Sequence, residues 1–238
     1  MAGVSRLQYT PDIRIVRIMC TGRLDPAITA RAFKKGLDGL LIIGCYFGDC
    51  HYISGNYQAK AKLDVARRLY EYVGMNPERL AFRQCSSGEA SVFVKIVTEF
   101  TEKIKELGPL GAGGDRLESP LLIKKLETAE AVLAGEKIRW VIGKRAPFLK
   151  TGNMYGEVFT EHEFRRAADM IIVEETEVQE ILAGLRDGAR SVKDLAASFS
   201  MPVEKVFRHI LALKRKGFVV PERIVGRSPL YTLAPKEV

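Results

Sequence analysis

Residues 39–45 read Gly-Leu-Leu-Ile-Ile-Gly-Cys, an apolar run with no polar alternation, as expected of a strand buried on both faces. Working outward, Ile13–Met19 (IRIVRIM) reads as an earlier strand. Asp25–Pro26 then opens a helix, with Asp25 as N-cap and Pro26 at the first helical position. That helix carries Ile28, Ala32 and Phe33 on one face and stops at Gly36. Downstream, Tyr57–Val73 is helical with Gly74 as its C-cap. Arg79–Gln84 (RLAFRQ) is a third, weaker strand. Ser86 and Glu89 are spaced as a capping box for a helix that runs to Leu107. Strand–helix alternation predicts an α/β fold with a parallel sheet and right-handed crossovers. Residues 1–110 therefore read as a small three-layer, Rossmann- or flavodoxin-like βαβαβα domain.

The second half is organised differently. Gly108–Asp115 (GPLGAGGD) is the clearest linker signal. Residues 111–173 read as a linker and helical segment, with helices over Pro120–Ala134 and Glu161–Ile172 and a poorly patterned Lys137–Val158. Residues 174–238 have their own logic. They show helices at Glu177–Leu185, Val192–Phe199 (capped by Ser191) and a third stretch from Pro202 to Gly217. Two strand-like runs, Phe218–Val220 and Leu230–Leu233, follow. Three helices and a β-hairpin are the order of a winged helix-turn-helix.

Composition limits the classes. The chain has 238 residues, 47% hydrophobic and 28% charged, enough to build a core and inconsistent with a disordered chain. No apolar run is long enough to span a bilayer, so no membrane insertion is expected. The first residues lack the apolar block of a signal peptide, which points to a cytoplasmic location. The net charge is +8; residues 1–110 hold 16 Lys+Arg against 11 Asp+Glu. Such a balance suits nucleic acid or an acidic protein surface alike.

The four cysteines are the chemically informative residues. Cys20, Cys45 and Cys85 each fall at the C-terminal end of a predicted strand, and Cys50 lies in the loop after Cys45. In an open parallel sheet those ends form one edge, where ligands bind. Three helices begin shortly after the cysteines. Their N-termini favour the negative charge of a thiolate-held cluster at that edge. In a reducing compartment these thiols are not expected to be structural disulfides. Spacing leaves three readings open: an iron–sulfur cluster, zinc, and buried thiols without a ligand. Only Cys45-x4-Cys50 approaches a zinc pair, whereas C-x4-C also occurs in two-iron sites, so iron–sulfur is favoured. His51 is placed outside the ligand set.

Three strings carry a resemblance: Cys20-Thr-Gly-Arg-Leu-Asp25, Gly44-Cys-Tyr-Phe-Gly-Asp-Cys-His-Tyr52 and Gly55-Asn56. Over about residues 10–110 they resemble the delta subunit of methyl-viologen-reducing hydrogenases. The resemblance implies one [2Fe–2S] cluster on Cys20, Cys45, Cys50 and Cys85. It also implies a role as electron-transfer subunit in anaerobic metabolism, between a hydrogenase, formate dehydrogenase or similar donor and a heterodisulfide-reductase-like flavin and iron–sulfur subunit that bifurcates electrons. Many members of that family stop soon after this domain, so residues 111–238 are a departure.

Other signals are weak. Gly111–Gly114 has no leading strand and no following Gly-Lys-Ser/Thr, so it is not a phosphate loop. There is no Ser/His/Asp set, paired acid or redox CxxC that would support an independent catalytic site, and the resemblance implies a non-catalytic electron-transfer subunit of an oxidoreductase complex. The alternative is a redox-sensing winged-helix DNA-binding regulator, with Lys205, Arg208 and His209 on the recognition helix and Arg223 and Arg227 in the wing. Nucleic acid is the less favoured partner, because winged helices also dock proteins.

Overall fold

A computed structural model describes residues 6–235. The chain divides into two compact units, Met1–Ile172 and Val173–Val238.

In the first unit, β1 (Leu40–Gly44) and β2 (Leu80–Gln84) pair in parallel, from Leu40 opposite Leu80 to Gly44 opposite Gln84. Helix α1 (Pro26–Lys34) precedes β1, α2 (Gly55–Val73) connects the strands, and α3 (Ala90–Leu107) follows β2. The local signals explain the boundaries. Asp25 Oδ1 accepts from the Ala27 N–H at 3.0 Å, and Gly74 ends α2 in the left-handed conformation at φ +97°. Helix α1 buries Ala27, Ala30 and Phe33; Ile28, expected on the inner face, is exposed. Ser86 does not cap α3. The helix starts after Glu89, whose carboxylate reaches back to the Ser86 N–H at 2.8 Å, so only the acidic half of the expected box is used.

The expected three-stranded sheet is corrected to two strands. Ile13–Met19 carries no strand pairing; Ile15, Val16 and Met19 are 60%, 81% and 76% exposed. A cleft of about 1380 Å³ lies between this segment, the free edge of β1 and α3. The segment has β-type composition but is not paired with the β1 edge, and composition alone does not pair a strand.

The Gly-rich stretch after α3 is no loose linker. The Arg79 guanidinium, fully buried, pairs with the buried Asp115 carboxylate at 2.9 Å. It also donates to the carbonyls of Asp38, Leu107, Gly108 and Pro109. Asp115 further accepts from the N–H groups of Asn76 and Gly111, and Leu110 is buried. A buried ion pair survives only with its remaining hydrogen-bonding capacity filled, and here one Arg and one Asp fix the whole loop.

Beyond the loop, α4 (Ser119–Ala134) and α5 (Glu136–Lys150) pack into the same core. Leu122, Leu126, Ala129, Val132, Leu133, Ile138 and Ile142 join Phe33, Leu63, Leu69, Tyr70 and Leu80 in one cluster. The α5 segment is poorly patterned in sequence because only Ile138, Val141 and Ile142 of its 15 residues are buried. Helix α6 (Glu161–Gly184) runs unbroken where two separate helices were expected.

The second unit has its own core of Ile181, Leu185, Leu195, Val206, Ile210, Leu213, Val219 and Tyr231. Ser191 and Asp194 form a reciprocal capping box on α7 (Val192–Phe199), and α8 (Val203–Arg215) follows. A hairpin of β4 (Val219–Val225) and β5 (Ser228–Leu233) comes last, with the two-residue β3 (Arg190–Ser191) on the free side of β5. The described residues are thus mixed α/β, with a two-stranded parallel and a three-stranded antiparallel sheet.

Candidate metal centre

Because β1 and β2 are parallel and in register, Cys45 and Cys85 leave the sheet side by side. The Cys85 N–H continues the ladder to Gly44 O at 3.0 Å. Both cysteines line the large cleft. Cys50 returns the loop towards α2. Ser54, before α2, makes no side-chain cap; instead the backbone N–H groups of Gly55 and Asn56, with Tyr52, donate to the Cys50 sulfur. Unpaired N–H groups and the helix dipole favour a thiolate at such a position. Burial pushes the Cys50 thiol up, but these donors and the Cys45 thiol outweigh it and the net shift is downward. Cys45 is shifted upward, by burial first and then by its hydrogen bond to Cys50. Burial, and then the Glu89 charge, also raise Cys85.

Cys20 arrives by a different route. A short 3-10 turn, Thr21–Arg23, folds its loop so that the Gly22 N–H donates to Cys20 Sγ at 3.4 Å. Gly22 then lies against Gly55: a Cβ on Gly22 would fall 2.7 Å from Gly55 Cα. A Cβ on Gly55 would collide with Cys20 Sγ and fall 3.3 Å from Cys50 Sγ. Two bare backbones in contact therefore leave the Cys20 and Cys50 sulfurs both against Gly55. A pocket of about 280 Å³, lined by Met19, Cys20, Arg23, Tyr52 and Gly55, opens above it.

All four thiols are free. Cys20 and Cys50 both lie against Gly55, Cys50 hydrogen-bonds with Cys45, and Cys45 shares the cleft with Cys85. Among the described residues, no three His, Cys, Asp or Glu side chains converge closely enough to hold a metal ion. The Cys85 thiol donates to Ser86 O and Glu89 O at 3.3 and 3.5 Å. As a donor set, four thiols that follow two strand ends, cap a 3-10 turn and lie in the loop before α2, with backbone N–H groups donating to sulfur, fit thiolate-bound iron–sulfur chemistry. His51 is exposed; only its backbone N–H reaches the Cys45 sulfur, while its ring stands edge-on to Tyr52.

Sequence reasoning missed the supports. Asn56, fully buried, donates to the carbonyls of Cys45 and Tyr46 at 3.2 and 2.6 Å, and Gln84 donates to Cys45 O at 3.1 Å. Lys62 donates to Gly22 O at 2.6 Å and Leu24 O at 3.3 Å. A polar residue on the inward stripe of a helix, two turns after Gly55, was the available signal.

Known proteins are similar to part of this chain. An F420-non-reducing hydrogenase iron-sulfur protein of Methanococcus voltae, of the vhc type, is 41% identical over 108 residues, 45% of this chain and 75% of that protein. Its counterpart in Archaeoglobus profundus, also an F420-non-reducing hydrogenase iron-sulfur protein, is 38% identical over 109 residues, 46% of this chain and 80% of that protein. Residues 1–108 match the methyl-viologen-reducing hydrogenase delta subunit family. The chain belongs to that family. A similar stretch occurs in a component of the ferredoxin:CoB-CoM heterodisulfide reductase of Methanosarcina mazei, 38% identical over 112 residues. There the match spans 47% of this chain and only 14% of the relative, so the delta-subunit unit is a small part of that larger protein. The family match ends at residue 108, so α4 to α8 lie outside it.

Proposed function

We propose that this chain is an electron-transfer subunit that carries one [2Fe–2S] cluster on Cys20, Cys45, Cys50 and Cys85. It relays electrons from a hydrogenase, formate dehydrogenase or similar donor to a heterodisulfide-reductase-like flavin subunit of an electron-bifurcating complex. The observation that supports the reading is that Gly55 lies against both Cys20 and Cys50, while Cys45 is hydrogen-bonded to Cys50, which brings thiols up to 30 residues apart in sequence into one neighbourhood. The names of relatives support it, since they are iron–sulfur components of hydrogenases and a component of a heterodisulfide reductase. The cluster, when bound, supplies one-electron storage. The chain's own residues orient the thiolates, donate N–H bonds to sulfur and keep one side of the site open to a partner.

The 173–238 unit is proposed as a protein-docking module of the winged-helix kind. Glu177, nearly buried, takes the Lys205 ammonium at 2.5 Å and the His209 ring at 3.0 Å. Two of the three side chains that a DNA-reading α8 would use are thereby engaged within the unit. Phe207 on α8 and Phe218 beside it stand about half exposed, which suits a protein surface.

Anaerobic purification tests the reading. The expected protein is reddish-brown, with about two irons and two sulfides per chain. Replacing any one of Cys20, Cys45, Cys50 or Cys85 by Ser degrades the cluster spectrum. A colourless protein holding one zinc overturns it.

A further inference from the structure

We infer that Lys62 is a positioning residue for the cluster: it fixes the Cys20 loop and sets a positive charge beside that ligand, which raises the cluster's affinity for an electron. The inference rests on the cluster reading above. Lys62 leaves α2 on the stripe that carries Gly55, and its ammonium donates to the carbonyls of Gly22 and Leu24, two and four residues past Cys20. Those bonds hold the turn that presses Gly22 against Gly55 and sets the Cys20 sulfur against Gly55.

The charges around Lys62 include Asp25, which opposes its own, and Arg139, which adds to it. Asp25 is itself shared: one oxygen caps α1 at the Ala27 N–H, and the other binds Arg139 of α5 at 2.6 Å. Arg139 adds a second positive charge to the same group and comes from outside the family match, which ends at residue 108. A partly buried cation is screened less than a surface one and stabilises the state with the extra electron.

The test is a redox titration of the full-length anaerobic protein, followed by absorbance and electron paramagnetic resonance. Lys62→Gln keeps a donor without charge; Lys62→Arg keeps the charge. The Gln variant is expected to retain iron and sulfide and to shift the reduced-to-oxidised ratio at fixed potential about tenfold towards oxidised, ~59 mV for a one-electron couple. The Arg variant is expected to return to within a fewfold of wild type. Equal potentials for Gln and wild type, or equal shifts for Gln and Arg, overturn the inference. Loss of the cluster in both variants also overturns it and leaves Lys62 as a structural staple alone. Failure of the cluster reading itself is distinguishable, because the wild-type protein would then show no iron–sulfur signal to titrate.

Discussion

Gly55 and Cys20, 35 residues apart, are so close that any side chain at 55 would strike the Cys20 sulfur at its first carbon. The α2 N-terminus must be bare here because it is shared by two cysteine loops. Its N–H groups go to the Cys50 sulfur, and its Cα face is pressed by Gly22. The spacing of the site is thus set by two backbones in contact, which tolerate no added atom.

Substitution at this contact is therefore expected to act on the site first. Gly55→Ala should lower cluster iron content by more than half and separate Cys20 from Cys50, while helicity by circular dichroism stays near wild type. Gly143→Ala is the control. It lies in α5 with no heavy atom within 4 Å of its added Cβ, and should be neutral or stabilise by about 0.5–1 kcal/mol. Full iron loading in the Gly55 variant would contradict the packing argument.

The Arg79–Asp115 pair predicts a large stability effect away from the thiols. Removing one partner leaves a buried charge facing a loop of carbonyls or N–H groups. Asp115→Ala and Arg79→Met should each cost about 3–5 kcal/mol in denaturant unfolding. A loss below about 1 kcal/mol would mean that the 108–115 loop opens to solvent at little cost.

Helices α1 and α4 are clamped by Glu130, which takes Arg31 at 2.8 Å and Lys34 at 3.1 Å. The Arg31 hydrogen bond, ahead of opposing burial, holds the Glu130 carboxyl below its usual range. A carboxyl lowered in the folded state stabilises above its unfolded pKa and loses that contribution as pH falls through the folded value. Wild type should exceed Glu130→Gln by about 0.5–1 kcal/mol at pH 7, since Arg31 is well exposed. The gap should close progressively below about pH 4.5. A gap that stays constant down to strongly acid pH would assign the effect to shape instead of charge.

The second unit is expected to fold alone. A fragment of residues 173–238 retains a closed core around Leu195, Val206, Ile210 and Val219, and the Ser191–Asp194 box starts its middle helix. Circular dichroism with a cooperative thermal transition checks this; a featureless melt would refute it. Within the fragment, Glu177→Ala should cost about 1–3 kcal/mol by releasing Lys205 and unpairing His209.

Much was readable in the residues themselves, wherever the deciding interaction is local. The Asp25–Pro26 start of α1, the Gly74 stop of α2, the Ser191 cap of α7 and the apolar run of β1 all follow from backbone sterics, capping and burial within a few residues. The position of Cys45 and Cys85 at neighbouring strand ends followed too, because a parallel register aligns C-termini. What only the tertiary structure decided depends on groups far apart in the chain. Ile13–Met19 has the composition of a strand but finds no partner at the β1 edge. Gly108–Asp115 reads as a linker but is fixed by Arg79, whose fork needed an acid 36 residues away. Lys62 and Asn56 look like ordinary helix polars until their acceptors, the carbonyls of the two cysteine loops, come into reach. Local signals state what a segment can do alone; an unpaired strand edge, a buried charge or a carbonyl in need of a donor is satisfied only by whatever the finished packing brings within about 3 Å.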